Sequence, residues 1–303
     1  MRSAKNKTLN LSEEQERKYL ALCPKKYVSD DCVIKGDCME IMWDIPHSSI
    51  DLMIVDPPYN MYKKFGSEEF SRQSMAEYEK YTRAWIERAL PLLKKTASVY
   101  VCCDWFSGIT IGAALADYFV LRNRITWQRE KGRGAKSNWK NSMEDIFFAT
   151  VSDEYVFNLQ AVKQVKRVIA PYKNNGKPKD WEENENGKFR LTCPSNFWND
   201  ISVPYWSMPE NTAHPTQKPE KLLAKLILAS SNENDLILDI FSGSGTTGVV
   251  AKKLGRKFID IEKNEQYCAW AEYRLSRAET DKRIQGYENG VFYARNQNVV
   301  KIK

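Results

Sequence analysis

Four consecutive residues, Asp56-Pro57-Pro58-Tyr59, are the first place in the chain where residue types and spacing point to chemistry. The run Ile50-Asp51-Leu52-Met53-Ile54-Val55 just before them reads as a buried strand, which puts the tetrad at the carboxyl edge of a sheet, where α/β proteins bind ligands. Two successive prolines fix φ and remove two N–H donors. What remains is a stiff turn of acceptors, carbonyl oxygens plus the Asp56 carboxylate. Such a turn suits an exocyclic amine on an aromatic ring. The lone pair of that amine is conjugated with the ring, so it is a poor nucleophile. Acceptors on its two N–H bonds hold it in register and favour a pyramidal nitrogen. The Asp56 carboxylate and the Pro57 carbonyl fit these roles. Asp56 either takes up the proton released when the nitrogen is substituted or stabilises the developing positive charge. Tyr59 offers a flat face on which a flipped base can stack. The plain alternative is a Pro-rich turn with a capping Asp.

A second constellation lies near the end of the chain. Asp239-Ile240-Phe241-Ser242-Gly243-Ser244-Gly245-Thr246-Thr247-Gly248 reads as a strand, a tight glycine turn and the start of a helix. Gly243 and Gly245 let the backbone bend sharply and approach a ligand closely. Glu262 follows at the tip of the next strand, where a carboxylate can accept from both hydroxyls of a ribose. The pattern matches a nucleoside-binding turn with a downstream acid and lacks the Lys-Ser/Thr pair of a Walker loop. Asp239 is unwelcome beside a pyrophosphate but suits an ammonium, which favours S-adenosylmethionine over a dinucleotide. Phe241 either lines that site or plugs the sheet. The chain after Asp239 has room for only about two βα units, so the N-terminal half must complete the sheet. That order is a circular permutation of the usual one.

The elements around these turns alternate between short apolar runs and helical periodicity, which indicates α/β. Tyr78 to Lys95 and Ile109 to Phe119 read as helices, and Ala97 to Cys103, Arg124 to Gln128 and Asp145 to Thr150 as strands. Glu220 to Ser230 is a Leu-rich helix with Pro219 before it. Leu236 to Ile240 is an apolar strand of the parallel type, followed by a short helix to Leu254, a strand Lys257 to Ile261 and a helix Glu265 to Arg277. Leu11 to Leu22 is a docking helix, a DNA contact or a surface helix.

The chain has 303 residues and a net charge of +7, ordinary for a globular protein of one or two domains. No run of about eighteen apolar residues and no signal h-region is present, so neither a membrane span nor secretion is expected. Seven cysteines without a C-x-x-C pair and two distant histidines, His47 and His214, read as free thiols in a reducing cytoplasm and argue against a metal site. His214 reads as a capping or packing residue. The charge is uneven. Leu121 to Lys140 holds seven basic residues and one acid, and Gln160 to Arg190 holds eight basic residues and four acids. Interleaved Trp127, Trp139, Tyr172 and Trp181 tilt these stretches toward nucleic acid rather than a solvated face. Candidate contacts are Arg122, Arg124, Arg133, Lys136, Asn138, Lys140, Lys173 and Lys177, with 132–139 as a loop that clamps phosphates or fills the gap left by a flipped base.

The tetrad before and the glycine turn after together resemble the β-class DNA amino-methyltransferases, in which the catalytic motif precedes the cofactor motif. His214-Pro215-Thr216-Gln217-Lys218-Pro219 resembles the segment that opens the cofactor half of these enzymes. Gly36-Asp37-Cys38 resembles the turn whose acid holds the adenine amino group of the cofactor. The resemblance runs from Asp31 to Arg277. It implies a Rossmann-like, doubly wound, circularly permuted methyltransferase sheet with an inserted target-recognition region. The implied cofactor is S-adenosylmethionine, leaving as S-adenosylhomocysteine. Its implied contacts are Asp37, Cys38, Asp239, Phe241, Ser242, Gly243, Gly245, Thr246, Thr247 and Glu262, with Thr216 and Lys218 near the methionine carboxylate. Family patterns associate Asp-Pro-Pro-Tyr with N6 of adenine.

The expected organisation is an N-terminal extension at 1–30, a catalytic half at 31–158, a target-recognition region at 159–212, a cofactor half at 213–280 and a tail at 281–303. The expected function is a cytoplasmic, prokaryotic or phage-type methyltransferase acting on N6 of a flipped adenine in double-stranded DNA. A homodimer and a cognate restriction endonuclease stay open as partners. The nearest alternatives are N4 of cytosine and an amine in RNA. A dinucleotide-dependent oxidoreductase gives Asp-Pro-Pro-Tyr no role, and a non-catalytic DNA-binding module explains neither sheet-edge motif.

Overall fold

A computed structural model describes residues 5–61, 63–65, 68–70, 72–129, 136–168, 171–184 and 187–294. Its centre is an eight-stranded sheet. In chain order the strands are β1 (Cys32–Lys35), β2 (Ile50–Val55), β3 (Leu93–Cys103), β4 (Val120–Gln128), β5 (Met143–Thr150), β6 (Phe197–Trp198), β7 (Leu236–Asp239) and β8 (Lys257–Glu262). Their spatial order is β1-β8-β7-β2-β3-β5-β4-β6. Every pairing is parallel except those that β5 makes with β3 and β4.

Alternation along the strands builds two layers. Leu52 and Ile54 of β2 pack into one apolar cluster, Met53 and Val55 into the other. The helices are α1 (Glu13–Leu20), α2 (Cys38–Ile41), α3 (Met75–Ala89), α4 (Ser107–Tyr118), α5 (Glu220–Ser230), α6 (Thr246–Lys253) and α7 (Glu265–Ala278). α3 and α4 cover the face of Met53 through Trp85, Ile86, Ile111 and Leu115. α5, α6 and α7 cover the face of Leu52 through Leu226, Val250 and Ala271. This is a sheet doubly wound by helices. α1 docks on α7, with Tyr19 edge-on to Tyr273 at 5.3 Å.

Several expectations need correction. The helix expected to reach Lys95 ends at Ala89, because Pro91 lacks an N–H and the chain passes through a 3-10 turn, Leu90–Leu92, directly into β3. Trp127, expected among the base-stacking aromatics, is 1% exposed and donates its indole N–H to the Ile201 carbonyl. Trp181 is likewise buried and donates to the Tyr172 carbonyl. The stretch from 281, expected as a tail, is built into a second sheet as far as it is described. There Val291–Tyr293 runs parallel to Gln164–Arg167, which pairs antiparallel with Gly187–Thr192. Val165, Phe189 and Tyr293 form its small core. Among the described residues, no helix is long and apolar enough to cross a membrane.

The glycine turn depends on backbone that only glycine adopts cheaply. Gly245 sits at φ +73°, and a Cβ there would lie 2.5 Å from the Ala271 Cβ on α7. Gly245→Ala is therefore expected to destabilise the fold by about 2 kcal/mol or more, through left-handed strain and displacement of α7. The measurement is urea unfolding, where the midpoint falls and the m-value stays unchanged. An unaltered midpoint would show that the contact relaxes at no cost.

Candidate active site

Parallel strands deliver the carboxyl ends of β1, β8, β7 and β2 to one edge of the sheet. There the turns after these strands surround a cavity of about 320 Å³. Gly36, Asp37 and Cys38 line it after β1, Asp56 to Tyr59 after β2, Phe241 and Gly243 after β7, and Glu262 at the end of β8. Thr216 also reaches the wall.

At one side the cavity is shaped for a nucleoside-sized group. Glu262 accepts from the Gly243 N–H at 2.8 Å and the Asn264 N–H at 2.7 Å. Burial pushes its carboxyl up to about 7. Asp37 caps α2 by accepting from the Met39 N–H at 2.9 Å. Burial raises the Cys38 thiol to about 12, so it is an inert thiol in the wall. Gly243, at φ +54°, approaches His214 so closely that a Cβ would lie 2.9 Å from the imidazole Nε2. His214 packs edge-on against Tyr267 at 4.5 Å, a wall position.

Other residues of the glycine turn hold it from behind. Asp239 accepts from the Thr247 hydroxyl at 2.5 Å and the Phe241 N–H at 3.0 Å, and burial pushes its carboxyl up to about 7. Both of its oxygens are bonded within the turn, and Asp239, expected to suit a ligand ammonium, is not among the residues lining the cavity. Arg274 of α7 donates to the Ser244 carbonyl and the Thr246 hydroxyl. Ser242, Gly245, Thr246 and Thr247 thus lie beside the cavity and not among its lining residues.

The other side carries the tetrad. Tyr78 donates to the Pro58 carbonyl at 3.0 Å. Asn60 anchors the turn, its N–H donating to the Ser107 hydroxyl and its amide bonding both ways with Gln73. Among the described residues no donor meets the Pro57 carbonyl, which stays available as an acceptor. Tyr59 donates to Asp56 Oδ1 at 2.8 Å. Burial, then the nearby Asp56 and Glu144 charges, hold that phenol well above its usual range.

Lys218, expected near the methionine carboxylate of the cofactor, reaches the tetrad. Its ammonium sits 2.5 Å from Asp56 Oδ2, 3.2 Å from the Tyr59 hydroxyl and 3.4 Å from Glu144 Oε2. Burial lowers the lysine's proton affinity, but Asp56 and then Glu144 outweigh this and leave its pKa raised. Arg129 pairs with Glu144 from the other side. Sequence reasoning missed Glu144, although an acid inside an apolar strand was a visible signal. It also missed Tyr81, which nothing distinguishes from a core residue, and Asn264, whose place as the cap of α7 was readable.

The basic candidates separate. Lys136, Asn138 and Lys140 are exposed on the connection leaving β4 at the active-site edge, beside Trp139, which is 97% exposed. Lys173 and Lys177 are exposed in a two-stranded hairpin. Arg124 lies 3.8 Å from Asp145 and is largely exposed. Arg133 falls outside the described residues. Arg122 is a correction. It lies at the opposite end of β4, where Asp153, Thr150 and the Ser152 carbonyl occupy its guanidinium.

Comparisons with known proteins agree with this geometry. A family model described as DNA methylase, of the N6 and N4 methyltransferase type, matches residues 50–273. The type II methyltransferase M1.MboII of Moraxella bovis is 32% identical over 257 residues, covering 80% of this chain and 95% of the relative. The DNA adenine methyltransferase YhdJ of Escherichia coli (strain K12) is 34% identical over 254 residues, covering 81% and 83%. The crystal structure of an M1.HpyAVI–SAM complex superposes with a TM-score of 0.53 at 27% identity, covering 80% of this chain and 98% of that one. With its acceptor turn, its nucleoside-sized cavity and a match spanning both, the chain belongs to the DNA methylase family.

Proposed function

We propose that this protein transfers a methyl group from S-adenosylmethionine to N6 of adenine in double-stranded DNA, on a sheet whose halves are circularly permuted. The observation that carries the reading is the Asp56 carboxylate and the Pro57 carbonyl, two acceptors at the edge of a cavity whose far wall holds Glu262. The likeness to the DNA adenine methyltransferase YhdJ supports adenine over cytosine.

The residues present fit the cofactor. A side chain at Gly243 would press on the His214 ring in the cavity wall, so glycine keeps that wall in place, and the buried Ser242 hydroxyl has no partner among the described residues. Glu262 can accept from ribose hydroxyls and Asp37 from an adenine amino group. S-adenosylmethionine supplies an electrophilic methyl group on a sulfonium. The chain's own residues prepare the nucleophile. Asp56 and Pro57 accept from the two N–H bonds of the exocyclic amine and turn its lone pair into the cavity, so that positioning supplies much of the rate. The Tyr59 ring stacks the flipped base. The exposed Lys136, Lys140, Lys173 and Lys177 meet phosphates and steer the duplex to this edge.

Asp56→Ala is expected to lower methyl transfer by about 10²–10³-fold or more, while cofactor affinity stays within about threefold. Sequencing DNA from an expressing host with modified-base detection then reads the base. N4-methylcytosine in place of N6-methyladenine would transfer the same mechanism to the other amine, and near-wild-type activity of Asp56→Ala would end it.

Glu262 titrates near 7 and binds ribose as the carboxylate, so cofactor affinity is expected to fall about tenfold from pH 8 to pH 6. Glu262→Gln should bind more weakly with a flat profile. Calorimetry across that range gives the answer, and a flat wild-type profile contradicts the ribose role. On the DNA side, Lys136→Glu with Lys140→Glu should weaken binding and reduce the slope of log affinity against log salt by about 2, whereas Arg122→Ala leaves both unchanged. Equal effects at both places would remove the loop from the interface.

A further inference from the structure

We infer that Lys218 is the positioning residue of the Asp56 carboxylate: it fixes the acceptor that holds the target amine, and it acts through Asp56 rather than through the cofactor. The inference rests on the proposed amine chemistry and deepens it. The resemblance in sequence places Lys218 near the methionine carboxylate, but the structure puts its ammonium 2.5 Å from Asp56 Oδ2, and Lys218 is not among the residues lining the cofactor cavity.

Three features make this a built arrangement. First, the arm that carries Lys218 is rigid. The neighbouring Gln217 side chain accepts from the Thr212 N–H and hydroxyl, each at 2.8 Å, and donates to the Glu210 carbonyl at 2.7 Å. Second, the ammonium is buried, at 9% exposure, so its site must be filled by charge partners to be tolerated. Third, those partners divide the carboxylate. Lys218 takes Oδ2 and the Tyr59 hydroxyl takes Oδ1, so both oxygens are pinned and the carboxylate plane is set. Without the ammonium, Asp56 and Glu144 would face each other as like charges, with Arg129 reaching only Glu144. Asp56 would then turn away from the amine, and a shift of about an ångström at a reacting group costs about 10²-fold in rate.

The test uses the full-length enzyme. Wild-type transfer to DNA is measured first, because its absence would defeat the proposed function independently of Lys218. Lys218→Met, Glu144→Gln and the double variant are then compared for kcat at saturating S-adenosylmethionine and DNA, and for cofactor Kd by calorimetry. The expected result is a loss of about 100-fold in kcat for Lys218→Met, with cofactor Kd within about threefold. The double variant should be as slow as Lys218→Met, since relieving the repulsion does not restore the missing anchor. Two results overturn the inference. One is a cofactor Kd weakened tenfold or more with kcat retained at saturation, which makes Lys218 a cofactor ligand. The other is a double variant that recovers the rate of Glu144→Gln, which reduces Lys218 to a neutraliser of Glu144. Should Lys218→Met fail to fold, Lys218→Gln keeps a neutral donor at that position and is read by the same two outcomes.

Discussion

The parallel pairing of β2 with β7 is the constraint on which the site depends. It joins Ile237 to Leu52 and Leu238 to Met53, across most of the length of the chain. Parallel strands put their carboxyl ends on one edge, so the turn at Asp56 and the glycine turn after Asp239 must open side by side. The register is strengthened where the strands begin. Asp51 accepts from the Leu236 N–H at 3.0 Å and from Lys94 at 2.7 Å, tying β7, β2 and β3 together at the opposite edge. A slip of one residue would send Leu52 and Ile54 to the wrong layer and expose one apolar face. The same apolar alternation that makes the core therefore fixes the distance between acceptor turn and cofactor cavity.

Buried charge does the finer positioning, and α5 carries most of it. Lys221 and Lys225 both reach Asp200, while Glu220 joins Lys253 and Arg274. Lys221 also donates to the Tyr293 carbonyl, which ties the second sheet to the central one. Burial lowers Lys225 to about 8 even with Asp200 beside it. Removing one partner from such a group leaves an uncompensated charge and costs far more than a surface pair does. Buried pairs of this kind add little net stability and are suited to fixing how α5 is seated. Because Lys218 precedes α5 by two residues, the seating of that helix also sets where its ammonium can reach.

The parts of this arrangement that were legible in the sequence are those with a local physical signature. β2 and β7 show as apolar runs, the glycine turn as a break that tolerates left-handed backbone, and α5 as helical periodicity within one residue of its observed limits. The tetrad was readable because two prolines leave few conformations. The partner of Lys218 was not readable, since Asp56 lies 162 positions away and nothing local distinguishes a lysine that reaches a carboxylate from one in solvent. Trp127 misled for the same reason. Its neighbours in sequence are basic, but alternation along β4 puts Trp127 on the buried face and Arg124 on the exposed one. Short strands such as Phe197–Trp198 and Val291–Tyr293 carry too few residues for any period to appear.

Pairing also decides what the net charge of +7 means. Lys218, Lys221, Lys225, Lys253 and Arg274 are spent on carboxylates inside the protein, and Arg122 on Asp153 at the far edge. Internal pairs cancel and project little field. The charge felt by a polyanion comes from exposed residues, and Lys136, Lys140, Lys173 and Lys177 stand on a loop and a hairpin outside both cores. A few such contacts supply affinity that falls with salt and carries no base information. Reading of sequence must then come from side chains that reach base edges. On the proposed function, Trp139, almost wholly exposed on the loop leaving β4 and flanked by Asn138 and Lys140, is the side chain available to fill the gap left by a flipped base. On that reading base extrusion and phosphate attraction fall on the same connection. Its root at Arg129 is bonded to Glu144 and through it to Lys218 and Asp56, so the loop proposed to meet the duplex and the carboxylate proposed to meet the amine share one chain of charges.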